Sequence, residues 1–140
     1  MILALDLGTK LGTYRDDWAG EAWTKDLGKG DERFFNFLGF LYGDSNCDII
    51  VYEQAAFQRG HAIPIYHGLV GVLKAFCMAN EIEHVGIPVG TIKKCFTGKG
   101  NCGKKEIMDK CDTLGIGYED DNSADAYAVY YTYKKLYGVE

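Results

Sequence analysis

Apolar positions along this chain fall into two rhythms: short continuous runs and longer stretches at helical spacing. "MILALD" is a continuous apolar run that ends on Asp6 just before Gly8 and Thr9, which predicts a buried strand followed by a turn. "LGTYRDDWAGEAWTK" carries the aromatic and Thr residues that favour strands, and predicts two short strands joined near Asp16 to Gly20. Trp18 and Trp23 belong to that hairpin. In "DERFFNFLGFLYGD", Phe34, Phe37, Leu38 and Leu41 fall on one helical face and Gly43 stands where a helix stops. "CDIIVYE" is a second buried strand, and it too ends on an acid, Glu53.

Helical spacing returns from Ile65 to Asn80, where Gly68 and Gly71 lie three apart and permit close packing. "EHVGIPV" predicts a third buried strand, "GTIKKCF" a short helix or turn, and "TGKGNCG" a glycine-rich loop. "KKEIMDKCDTLG" predicts a helix closed by Gly115, and a last helix runs from about Asn122 to Tyr137, capped by Asp121, Asn122 or Ser123. Three strands, a helix, a strand, a helix, a strand and then helices predict an α/β fold: a mixed five-stranded sheet flanked by helices. The 140 residues fit one domain spanning 1–140, and 47% hydrophobic content is enough for one core.

Two classes are set aside by composition. No apolar run approaches the ~20 residues of a membrane span, and the N-terminus lacks the basic region of a signal peptide. The cysteines, Cys47, Cys77, Cys95, Cys102 and Cys111, are odd in number and form no C-x-x-C pair, so they read as reduced thiols of a cytoplasmic protein. A net charge of −5 argues against a nucleic-acid partner, but its distribution changes that. Lys93, Lys94, Lys99, Lys104 and Lys105 occur between His84 and Lys105 without an acid, while "YEDDNSAD" concentrates negative charge. A chain segregated this way can bind an anion with one surface while remaining acidic overall; the ordinary alternative is a solvated loop with a few lysines.

In open α/β sheets, sites form at the carboxyl ends of strands, where Asp6 and Glu53 stand. Asp121 and Asp125 are four apart and share a face of the last helix. Each acid has an ordinary role available: a turn acceptor at Asp6, a surface pair with Arg59 or a lysine at Glu53, a cap at Asp121 or Asn122, and a dipole partner at Asp125. Gathered in one place, they are costly without a counter-charge. Mg²⁺ or Mn²⁺ removes that cost through hard oxygen ligands, and two such ions about 4 Å apart activate water and stabilise a leaving oxygen in phosphodiester hydrolysis. His61, His67 and His84 show no ligand spacing.

These residues resemble the RuvC-type Holliday-junction resolvases of the RNase H-like superfamily, over nearly the whole chain. "ILALDLGTKLG" resembles the first strand with its catalytic acid at Asp6, and "IIVYEQ" the strand with its catalytic acid at Glu53. "TIKKCFTGKGNCGKKEI" resembles the lysine and glycine segment, with Lys93 and Lys104 in its two lysine positions. "DNSADAYAVYY" resembles the last helix, whose D-x-x-D-A signature places its second acid on Asp125 but its first on Asn122. Either the neighbouring Asp121 or the Asn122 carbonyl then supplies the fourth metal ligand. The stretch after Glu53 is one residue longer than the family's, which leaves Phe57 as a candidate wedge into a junction.

The resemblance implies an RNase H-like fold and cleavage of Holliday junctions and other branched DNA. It implies two Mg²⁺ ions, replaceable by Mn²⁺, and ends bearing 5′-phosphate and 3′-hydroxyl groups. It also implies a homodimer, for which the Ile65–Asn80 helix is the candidate interface, and no nucleotide cofactor or membrane. Lys93, Lys94 and Lys104 are the expected phosphate contacts. Short versions of the family occur in phages, which would place the protein in a host's cytoplasm. Two rivals stand beside this reading: an RNase H-like nuclease that processes RNA, and a non-catalytic binder of branched DNA that lost a ligand at Asn122.

Overall fold

The computed structural model describes residues 1–43, 46–55 and 62–138. Phe57, Arg59 and His61 lie outside the described residues. The elements follow the predicted order: β1 (Ile2–Asp6), β2 (Lys10–Arg15), β3 (Trp23–Asp26), α1 (Glu32–Gly43), β4 (Ile49–Gln54), α2 (Ala62–Asn80), β5 (Glu83–Pro88), α3 (Val89–Thr97), α4 (Lys104–Leu114) and α5 (Asp121–Leu136). The stretch left open as helix or turn is the helix α3, ended by Gly98 in the left-handed conformation at φ 88°. Helix α2 begins three residues before the predicted Ile65. Among the described residues, no helix is long and apolar enough to cross a membrane.

The strands form one mixed sheet in the order β3-β2-β1-β4-β5. β1 is antiparallel to β2 and parallel to β4, and β4 is parallel to β5. β1 is central and covered on both faces, which is why it reads as a continuous apolar run rather than an alternating one. Ile2 and Ala4 join the core beneath α3, α4 and α5, with Phe96, Ile107, Cys111 and Val129. Leu3 and Leu5 join the core beneath α1 and α2, with Phe37, Leu41, Leu69 and Phe76.

Two expectations are corrected. Helix α5 is capped by Asp120 rather than by Asp121, Asn122 or Ser123: its carboxylate accepts from the backbone N–H of Asn122 at 3.0 Å and of Ser123 at 3.2 Å. Asp120 is the last extended residue, so its side chain alone points back at the free N–H groups. Gly68 and Gly71 do not act as a pair. Gly68 makes room for the ring of Phe34 on α1, inside the same chain, whereas a Cβ at Gly71 would meet nothing within 4 Å.

Candidate active site

The parallel pairing of β1 and β4 brings two acids to one edge. The last ladder pair is Leu5 with Tyr52, so Asp6 and Glu53 emerge beside each other at the next position. Side chains alternate along a strand, so Asp6 points to the same side as Ile2 and Ala4, and Glu53 to the same side as Ile49 and Val51. That is the side covered by α5. The two carboxyl groups are within hydrogen-bonding reach of one another.

The first turn of α5 is fastened over this pair by its flanks. Thr24 on β3 donates from its hydroxyl to Asp120 Oδ1 at 2.5 Å and from its N–H to Glu119 Oε1 at 2.7 Å. The fully buried Ser123 hydroxyl accepts from Glu119 N–H at 2.8 Å and Asp120 N–H at 3.1 Å. Burial pushes the Asp120 carboxyl up, but bonds from Thr24, Ser123 and Asn122 outweigh it and hold the group below the usual range. Beneath this turn lies Gly12, paired with Asp6 across the ladder. A Cβ there would come within 2.5 Å of the Asn122 carbonyl carbon. A glycine inside a strand signals such close approach.

The electrostatics show that the acids share one site. Asp6 is pushed well above the carboxylate range, first by burial and then by the charges of Glu53, Asp125 and Asp121. Burial also raises Glu53, against the pull of Lys93 and of its bond with Asp6. Asp125 is pushed up to about 7 by burial and by Glu53 and Asp121, while Lys104 and Lys93 oppose the shift. Asp121 forms an ion pair with Lys104 at 2.8 Å, which raises the lysine. The Asn122 amide turns toward Asp120 Oδ2, a long contact at 3.5 Å.

Of the expected phosphate contacts, Lys93 and Lys104 border the acids. Lys94 is exposed on α3. Lys105 is paired with Asp109 at 2.8 Å. One contributor was not foreseen. The buried Tyr66 of α2 donates its O–H to the Glu53 carbonyl at 2.9 Å and accepts the Ala55 N–H at 3.1 Å, anchoring the chain where β4 ends.

Four carboxylates opposed by two lysines form a hard-oxygen, net-negative donor set of the kind that suits Mg²⁺ or Mn²⁺. Among the described residues, no three His, Cys, Asp or Glu side chains are already gathered as a ligand cage. Asp121 is instead engaged by Lys104, and Asp6 and Glu53 by each other.

No protein-family model and no curated protein matches the chain. Solved structures do. The fold is similar to T. thermophilus RuvC in complex with a Holliday junction substrate, at TM-score 0.72 and 16% identity, covering 99% of this chain and 94% of that one. It is also similar to a second Thermus thermophilus RuvC structure, at TM-score 0.68 and 17% identity, covering 99% and 96%. The expected RNase H-like architecture, a mixed five-stranded sheet flanked by helices, is therefore the observed one.

Proposed function

We propose that this chain is a divalent-metal-dependent endonuclease that cleaves four-way DNA junctions and other branched DNA, leaving 5′-phosphate and 3′-hydroxyl ends. The observation that carries the reading is the electrostatic coupling of Asp6, Glu53, Asp121 and Asp125 at one sheet edge, in a fold shared with a RuvC solved on a junction. Asp6, Glu53, Asp121 and Asp125 would hold two Mg²⁺ or Mn²⁺ ions, which when bound would supply charge neutralisation, a more acidic water and stabilisation of the leaving oxygen.

The chain's own residues supply the rest. Tyr66 and the Asp120 network fix the elements that carry Glu53 and the α5 acids, so the donor oxygens need little reorganisation. Lys93 and Lys104 attract a phosphate to the rim of the cluster, and Lys94 adds a backbone contact farther out. Lys104 exchanges Asp121 for that phosphate when substrate arrives. Asn122 serves the cap and not the metal; Asp121 restores the fourth carboxylate, which favours an enzyme over a non-catalytic binder. A symmetric dimer along the outer face of α2, where Met78 is 84% exposed, presents two sites to the two-fold symmetric junction.

Synthetic four-way, three-way, flap and linear duplexes, and matched RNA, incubated with Mg²⁺, Mn²⁺ or chelator test this reading. Metal-dependent nicking of the branched DNAs supports it. Cleavage of RNA alone, or none with either metal, rejects it.

A further inference from the structure

Among the described residues, Arg33 has no partner to account for its charge. It stands on the first turn of α1, and the sheet brings that turn to the edge that carries the acids: β3 runs antiparallel to β2 and ends with Asp26 opposite Lys10. Arg33 lies one turn before the fully buried Phe37, so the two share a side of the helix. The Arg33 Nε is buried and has no hydrogen-bond partner. Among the described residues no carboxylate pairs with Arg33, whereas Lys10, Arg15, Lys104 and Lys105 each hold one. The neighbouring Glu32 carboxylate lies instead beside Gly28.

Arg33 is partly buried with its Nε shut off from solvent, so an anion would reach its charge through the terminal NH2 groups and offset the cost of leaving that charge unbalanced. The surroundings suit a phosphate. Lys29 is exposed between Gly28 and Gly30, both at positive φ (94° and 58°), and a Cβ at Gly30 would meet nothing within 4 Å. Helix α1 covers one face of the sheet, whereas α3 and α4, which carry Lys93 and Lys104, cover the other. Arg33 and Lys29 therefore stand at the same end of the sheet as the acids, on the face opposite Lys93 and Lys104.

We propose that Arg33, assisted by Lys29, binds a second backbone phosphate of the DNA substrate on the α1 side of the carboxylate cluster, opposite Lys93 and Lys104. The planar guanidinium donates to two phosphate oxygens at once in a fixed fork, which a lysine cannot do. Holding the strand at two points fixes how it crosses the acids. This assignment rests on the nuclease reading above.

The test is fluorescence anisotropy of a labelled four-way junction in chelator across a salt series, for wild type, Arg33→Met, Arg33→Lys and Lys93→Ala, with the unfolding temperature of each. Arg33→Met keeps the stem's packing and removes the charge. It is expected to weaken binding about three- to tenfold and to lower the salt slope by about one, at an unchanged unfolding temperature. Arg33→Lys is expected to keep the slope and bind less tightly than wild type. Wild-type affinity and slope in Arg33→Met overturn the proposal, as does a lowered unfolding temperature with an unchanged slope, which makes Arg33 a packing residue. If Arg33→Met folds poorly, Arg33→Lys decides, and wild-type affinity there overturns the proposal. A wild-type chain that binds no branched DNA overturns the nuclease reading itself; binding weakened by Lys93→Ala but not by Arg33→Met overturns only the Arg33 site.

Discussion

Gly12 pairs with Asp6 across the β1–β2 ladder, and the missing side chain at Gly12 is what lets the Asn122 carbonyl, and with it the first turn of α5, settle beside that acid. Gly12→Ala sets a methyl against rigid backbone rather than against a side chain that can turn away. The substitution is expected to destabilise the fold by about 1–3 kcal/mol and to lower cleavage at least about tenfold, because α5 carries two of the four acids. Urea unfolding and single-turnover cleavage under folded conditions measure the two effects separately.

Asp121 and Asn122 divide two duties between them. Asp121 faces Lys104 and acts on Asp6 and Asp125, while the Asn122 amide turns toward the cap. Asp121→Ala is expected to lower activity about a hundredfold and to raise the Mg²⁺ concentration needed, and Asn122→Ala to change activity less than threefold. Asn122→Asp is expected to stay active. Metal titrations of cleavage rate compare the three, and a dead Asn122→Ala beside an active Asp121→Ala would reverse the assignment.

The raised carboxyls set a pH dependence for the metal-free protein. Each holds its proton more tightly when folded, so the folded state binds more protons than the unfolded chain between the two pKa values. Below about pH 4 both states are protonated and there is no penalty. As pH rises from about 4 the unfolded chain ionises while folded Asp125 keeps its proton, so stability falls until about pH 7, where Asp125 ionises beside Glu53 and Asp121 and the loss is complete. With chelator present, the protein is expected to lose on the order of 2–4 kcal/mol between pH 5 and pH 8. Asp125→Asn is expected to flatten that slope, and Mg²⁺ at pH 8 to restore the stability by occupying the site. Thermal unfolding across pH, with and without Mg²⁺, measures all three.

Tyr66→Phe removes one hydroxyl and leaves both the Glu53 carbonyl and the Ala55 N–H without that partner. The expected cost is about 1–2 kcal/mol of stability. A several-fold loss of cleavage is also expected, because Glu53 is no longer held from behind. Hydrogen exchange at Ala55 is expected to quicken, which a purely distant effect would not produce.

The element order was legible because β1 and β4 are buried on both faces and so read as unbroken apolar runs, and α1 shows its inner stripe through Phe37 and Leu41. Asp6 and Glu53 were legible because an acid ending a buried run has to be explained, and Asp125 because it lies four residues from Asp121 on one helix face. The cap of α5 was not: in "EDDNS" four adjacent residues all have capping side chains, and only the backbone shows that Asp120 is the last extended residue before the helix, with Thr24 donating to it as well. Tyr66 was hidden because an inward tyrosine on an apolar helix reads as core until its hydroxyl finds the end of a distant strand. Gly68 read as an interface residue because spacing alone does not say which chain supplies Phe34.

The central claim is that Asp6 and Glu53 hold metal for strand cleavage and are not needed to hold DNA. The most direct measurement pairs Mg²⁺-dependent cleavage of a four-way junction with binding of the same junction in Ca²⁺, for wild type, Asp6→Asn and Glu53→Gln. The expected result is cleavage lowered at least about a thousandfold in each variant, with junction affinity equal to or tighter than wild type, since each amide removes negative charge facing the phosphates. Cleavage at the wild-type rate by either variant would contradict the metal site and the activity built on it.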